Sequence, residues 1–363
     1  MDISRVINEA VSFINSGEEK KKGVAERLAP LKKESFHSAS AEIPEKSLVF
    51  PVHKWVPEGL VAGVDSGFVA KRLASLDIVL IRAVGVVFNY SDGKVVEAKY
   101  YPGFFRFPEP HLSNGALEED EAQQSKSLMR LREEVNTAKK VIELHSPKYC
   151  FIDGSIVPQF QDKPRKDSNI AKDYSGIIKE FESLYSFAEG KNCTLIATVE
   201  DSRGSRFRQI MQEVVLPKNG AVGAEQLDGF FDSAFLDYFL AEGERTFAFT
   251  YTKNIKQHPV LQDFSKEWGN KIHGFYLKPS ALDRPLRVEF ISKGNLKEKA
   301  DEIASVVYAL SSLHREYAYP SVLIEADFHA KLKPNEIDIV FSKIMDKLGN
   351  SLKLRMRRDN RPF

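Results

Sequence analysis

Two apolar runs joined by an Asp-Gly step constrain this chain more than any other feature. Residues 77–90 (DIVLIRAVGVVFNY) and 94–101 (KVVEAKYY) are rich in β-branched and aromatic residues, and Ser91-Asp92-Gly93 separates them. Asp-Gly between apolar runs is a strong hairpin signal, because a tight turn there needs residues that tolerate positive φ. A short buried strand at 60–64 (LVAGV) precedes the hairpin and is expected to end at Asp65-Ser66-Gly67. The spacing then changes from alternation to a helical stripe. Residues 117–145 place Leu128, Leu131, Val135, Ala138 and Ile142 on one face of a long helix. A strand at 149–152, a helix at about 173–189, a strand at 194–199 and a helix at 206–215 follow.

The order β-β-β-α-β-α-β-α is that of an α/β protein with an RNase H-like core built on a mixed sheet, whereas doubly wound folds begin βαβ. The remainder adds helical and strand elements: helical 225–241, strands near 246–252, 272–277 and 286–292, and a helix at 296–314. An apolar strand at 322–324 (VLI), a helix from Asp327 and another at 335–348 complete the expectation. At the other end, Ile3, Val6, Ile7, Ala10, Val11 and Ile14 recur at helical spacing, so 1–35 reads as an amphipathic helix with a charged continuation. Residues 36–58, with Pro44, Pro51 and Pro57, read as an extended connector. Three parts result: a helix and connector (1–58), one α/β domain (59–348) and a basic tail (349–363). No internal repeat or low-complexity tract interrupts them.

The net charge of +1 and pI near 7.7 give no global electrostatic case for nucleic acid. Basic residues cluster only locally, at 203–208 and at Lys353, Arg355, Arg357, Arg358 and Arg361. With 42% hydrophobic residues the chain has material for a full core. No run of about 18 apolar residues exists to span a membrane, and the first residues do not read as a secretory leader. The two cysteines, Cys150 and Cys193, flank apolar strands and read as reduced core thiols, which fits a cytoplasmic protein.

Candidate chemistry lies in four acids. Asp65 closes the first strand in GVDSG and Asp153 closes the fourth in FIDGS. Each alone is an ordinary turn, since Asp and Gly both favour turns. In this topology the two strands are neighbours, so the carboxylates face each other at one sheet edge and repel unless a divalent cation sits between them. Glu134 lies at the edge of the buried helix stripe and Glu133 points further toward solvent; either is also readable as a surface helix charge. Asp327 follows the apolar segment 322–324 and is readable as a helix N-cap or as a further ligand; His329 two residues on is a weak metal signal. An all-oxygen set suits Mg²⁺ or Mn²⁺ rather than zinc, and neither cysteine has a partner at ligand spacing. Residues 200–206 (EDSRGSR) run from a strand end into a helix start and, with Arg208, suit phosphate contacts through backbone N–H groups and guanidinium forks, or form a plain capped turn. No P-loop, GxSxG elbow or HExxH motif occurs.

With GVDSG (63–67), RLREEV (130–135), FIDGS (151–155) and YPSVLIEAD (319–327) in this order, the chain resembles the NurA nucleases over about 63–330. The resemblance implies an RNase H-like core with metal-dependent 5′→3′ exonuclease and single-strand endonuclease activity on DNA ends. It further implies two Mn²⁺ (or Mg²⁺) ions, a homodimer, and partnership with a hexameric HerA-type ATPase in double-strand break resection. Asp65, Glu134, Asp153 and Asp327 match the metal-binding acids, and Arg203, Arg206 and Arg208 are the candidate DNA contacts. Two departures stand out: the first motif reads Asp-Ser-Gly where Asp-Gly-Ser is more usual, and Glu200-Asp201 stands where a basic residue is often expected. Two other readings compete. An actin-like or sugar-kinase phosphotransferase also places Asp-Gly turns at two strand ends, but it duplicates the domain, and no second copy is present. A non-catalytic dimeric adaptor of a DNA-translocating ATPase would not need all four acids.

Overall fold

The computed structural model describes residues 3–34, 45–74, 76–114, 117–219, 223–349 and 356. The basic tail expected at 349–363, with Lys353, Arg355, Arg357, Arg358 and Arg361, lies outside the described residues apart from Gly349 and Met356, as does part of the connector. The chain forms two compact units: Pro57–Ala197 with Ile255–Gly269 and Ser321–Phe363, and Met1–Val56 with Thr198–Asn254 and Asn270–Pro320.

The first unit is built on the hairpin. Strand β1 (Gly59–Arg72) pairs antiparallel with β2 (Leu76–Ser91) from Gly59↔Tyr90 to Arg72↔Asp77. Asp92 and Gly93 take positive φ of 49° and 76° at the turn, and β3 (Lys94–Tyr101) returns antiparallel to β2. The turn residues therefore act as the sequence indicates. A strand with no clear signal, β4 (Glu109–Asn114), pairs with the far half of β2. Helix α1 (Glu119–His145) crosses to β5 (Tyr149–Asp153), which lies parallel to β1 with Val64↔Ile152 in register. Helix α2 (Ala171–Gly190) leads to β6 (Thr194–Val199), and the strand order is β6-β5-β1-β2-β3. This is the expected mixed α/β arrangement. Leu128, Leu131, Val135, Ala138 and Ile142 of α1 are all buried, as their stripe requires. Cys150 and Cys193 are buried and form no disulfide.

Two expectations change here. The first strand does not end at Asp65: β1 continues to Arg72, because β2 supplies backbone partners along its whole length. The apolar run 322–324 is not a strand but the start of helix α3 (Ser321–Ala330), followed by α4 (Pro334–Lys347). Three apolar residues in a row suit either state, and burial of Val322, Leu323, Ala326 and Ala330 at helical spacing decides it. Asp327 consequently sits inside a helix and is not an N-cap.

In the second unit the amphipathic helix spans Ile3–Leu28, and only its last part, Val24, Ala25 and Leu28, is buried. These join Phe207, Phe235, Phe239, Phe247, Phe249 and Tyr276 in one core. The stripe Ile3, Val6, Ile7, Val11 and Ile14 is exposed. An antiparallel sheet of Val49–Pro51, Glu244–Thr246, Ile272–Lys278 and Leu286–Ile291 lies in this unit, with Phe249–Thr250 beside its third strand. The helix expected at 225–241 is shorter, Asp232–Phe239, after a 3-10 turn at Ala224–Leu227.

Candidate metal centre

The spacing of GVDSG sets the site. Side chains alternate along a strand, so Gly63, Asp65 and Gly67 share one face of β1 and Val64 and Ser66 share the other. Helix α3 rests on the first face with no room for side chains beneath it. A Cβ on Gly63 would lie 2.8 Å from the Val322 carbonyl oxygen, and one on Gly67 would lie 2.8 Å from that of Ala330. Asp65 lies between these contacts, and Asp327 lies between Val322 and Ala330 on the helix. The other face carries α1, where a Cβ on Gly85, the partner of Val64, would strike Val141. Ser66 accordingly points toward α1, and its hydroxyl donates to the Glu134 carboxylate.

Asp153 enters from β5. Val64 pairs with Ile152, so the next residues, Asp65 and Asp153, leave the parallel ladder side by side. Gly154 follows with φ +82°, a conformation that lets the chain turn away at once.

The acids act on one another electrostatically. Burial first, then the charges of Asp153, Glu134 and Asp327, push the Asp65 carboxyl up to about 8, against a 2.6 Å hydrogen bond from the Ser66 N–H. Glu134 is also held above its ordinary value, first by burial and then by Asp153, while Arg130 and Ser66 oppose the shift. Arg130 Nη1 lies 2.8 Å from Glu134 Oε2 and 3.1 Å from Ser66 Oγ. Asp65 and Glu134 are buried, Asp153 is half-buried and Asp327 is exposed, so the group opens to solvent on one side. Three carboxylates acting on one buried carboxylate leave a surplus of negative charge that a hard divalent cation would neutralise.

Arg130 and Ser66 were not singled out from sequence. Arg130 stands one helical turn before Glu134, a spacing that marks an ion pair, but its relation to β1 exists only in the fold. Glu133 faces elsewhere: one of its oxygens, one of Glu109 and a ring nitrogen of His111 lie within 4.8 Å of one another, and Glu109 is also paired with Arg106. His329 lies 3.2 Å from Glu325 Oε1.

The arginine segment belongs to the second unit. The backbone N–H groups of Phe207 and Arg208, at the start of the Arg206–Ile210 helix, each donate to Asp232 at 2.9 Å, so a protein carboxylate fills the position assigned to phosphate. Arg206 is buried and its Nε reaches the Thr250 carbonyl. Arg203 is exposed, and Arg208 is half-buried with Nη1 on the Leu227 carbonyl.

Residues 59–332 match the family model of the NurA domain. The chain belongs to the NurA family. Solved NurA structures share its fold over nearly the whole length. The NurA nuclease from Sulfolobus solfataricus aligns with TM-score 0.59 and 13% identity, covering 96% of this chain and 97% of that one. A NurA bound to dAMP and manganese aligns with TM-score 0.50 and 10% identity, covering 98% and 99%. No curated protein sequence matches significantly. As a NurA-family member the protein is a nuclease acting on DNA, and its RNase H-like core carries the acidic group.

Proposed function

We propose that the protein is a metal-dependent deoxyribonuclease whose centre is formed by Asp65, Glu134, Asp153 and Asp327 within a nuclease domain spanning 59–348. The observation that carries this reading is the register that brings Asp65 and Asp153 side by side at the end of neighbouring strands, with Glu134 and Asp327 in their electrostatic field, in a chain of the NurA family. Two Mn²⁺ or Mg²⁺ ions fit an all-oxygen set of this kind, and a NurA structure with manganese and dAMP supports the choice. When bound, the ions supply an acidified water and neutralise charge on the leaving oxygen. The chain's own residues do the rest. Asp65 and Asp153 present oxygens from adjacent strand positions, Glu134 contributes from α1 with Ser66 and Arg130 fixing its orientation, and Asp327 closes the group from α3. Arg203 and Arg208 are the remaining candidates for phosphate contact, with Arg206 confined to the interior.

The family resemblance supports 5′→3′ exonuclease and single-strand endonuclease activity on single- and double-stranded DNA ends. It also supports a homodimer and resection together with a hexameric HerA-type ATPase. The exposed stripe Ile3, Val6, Ile7, Val11 and Ile14 suits assembly, since such a face is rarely left in water. No described helix is long and apolar enough to cross a membrane, and we place the activity in the cytoplasm. The test is cleavage of end-labelled single- and double-stranded DNA in Mn²⁺, Mg²⁺ or EDTA, beside Asp153→Asn. Metal-dependent products lost in the variant are expected. Absence of products in every metal, with and without the ATPase, would overturn the assignment and leave a DNA-binding adaptor.

A further inference from the structure

Beside the acidic centre, the same unit exposes a run of aromatic rings. The segment that follows β3 reads 101–108 (YPGFFRFP), and in it Phe105 is 91% exposed, with Phe104 and Phe107 also largely in solvent. On α3, Phe328 is 74% exposed. The inner rings are held in place. Tyr100 donates to Glu325 Oε1 at 2.7 Å, and His329 Nε2 lies 3.2 Å from the same oxygen. Phe104 completes a three-ring cluster, with centroids 4.9 Å from Tyr100 and 4.8 Å from His329. Phe105 then extends the cluster from Phe104 at 5.0 Å, and Phe328 extends it from His329 at 5.3 Å. The arrangement grades from hydrogen-bonded rings inward to free faces outward.

Turning 100° per residue, α3 carries Asp327 on the flank toward β1 and β5, Phe328 on the exposed crest, and His329 with Glu325 on the flank that meets Tyr100 of β3. A path from the acids over Phe328 to Phe104 and Phe105 crosses one helix, about 10 Å wide. At about 3.4 Å per nucleotide of a stacked strand, that is a span of about three nucleotides. The exposed cations Lys331 and Lys333 stand at the end of the same helix.

We infer that Phe105 and Phe328, backed by Phe104, His329 and Tyr100, form a stacking platform for unpaired bases of a single DNA strand within about three nucleotides of the scissile phosphate. The inference rests on the acidic group being the cleavage centre. Aromatic faces bind every base through its π-surface without reading sequence, which suits a nuclease that processes ends of any composition. Exposed apolar patches otherwise carry a solvation cost with no return.

The test uses the full chain in Ca²⁺, with an oligonucleotide that gels show to be uncleaved and that carries 2-aminopurine at successive positions. Stacking should quench 2-aminopurine at positions within about three nucleotides of the one cleaved in Mn²⁺. Phe105→Ala/Phe328→Ala should lose the quenching and bind oligothymidylate about tenfold more weakly per ring removed, and Phe105→Trp should retain both. Hydrolysis of bis(p-nitrophenyl) phosphate, which has no base, should be unchanged in the double variant. Unaltered affinity and quenching in that variant would overturn the platform. So would a changed sedimentation mass, which would assign the rings to contact between copies of this chain. Absence of diester hydrolysis by the wild type would instead count against the cleavage centre, while the quenching and affinity measurements, which need no cleavage, would still decide the platform.

Discussion

Two groups of buried charge, one in each unit, have opposite designs. In the second unit Arg245 and Glu45 are both fully buried and joined by two bonds of 2.7 and 3.0 Å; Asp301 also accepts from Arg245, and Ala248 N–H donates to Glu45. Every charge there has its counterpart inside the protein. Around Asp65 acids crowd one another: Arg130 serves Glu134, and Asp65 lies in the field of three carboxylates. The first arrangement pairs its charges within the fold, and the second is the one proposed to take up a cation. The comparison sets a group that holds structure against the group proposed to bind a ligand.

Substitutions can break the contrast. The largest effect is expected from Asp153→Asn, which should lower DNA cleavage by on the order of 10³-fold, read on end-labelled substrate, while leaving the folded state intact. Arg245→Ala should destabilise by about 3–5 kcal/mol, because it strands the buried Glu45 carboxylate, and calorimetry should show the lower melting temperature. Asp65→Asn should do the reverse in EDTA. The folded carboxyl sits at about 8 against an ordinary 3.8, so its ionisation disfavours folding increasingly as pH rises from about 4 to about 8. The wild type in EDTA should therefore melt at progressively lower temperature across that window, Asp65→Asn should gain a few kcal/mol at its upper end, and Mn²⁺ should flatten the wild-type slope. A pH-independent difference between the two proteins would contradict the charge surplus. The smallest effect is expected from Glu133→Gln, whose cleavage rate should match the wild type; a loss comparable to that of Asp153→Asn would move the helical ligand from Glu134 to Glu133.

Much of the fold was legible because its signals are local. Asp92-Gly93 marks the hairpin, and the stripe on α1 sets which face of that helix is buried. Asp65 and Asp153 were found from their repetition at strand ends, even though β1 runs on past the first. Other features depend on partners distant in sequence. β4 contains Pro110 and polar residues and is a strand only because β2 offers an edge. The apolar residues 322–324 gave no period long enough to separate helix from strand. The N-terminal stripe was readable as amphipathic, but its sequence does not state that most of it stays in solvent. At 203–208 the composition pointed to phosphate, and a carboxylate 25 residues beyond Phe207, at Asp232, occupies the backbone donors instead.

The close rest of α3 on Gly63 and Gly67 has a consequence for how the protein can change over time. Main-chain oxygens of Val322 and Ala330 make the closest approach between the element bearing Asp327 and the strand bearing Asp65. Residues such as Leu323 and Ala326 can then be exchanged for others of similar volume with little effect on that clearance, whereas one added methyl at either glycine lifts the helix like a shim. The gauge of the centre is written in two positions, and the surrounding core is free to drift.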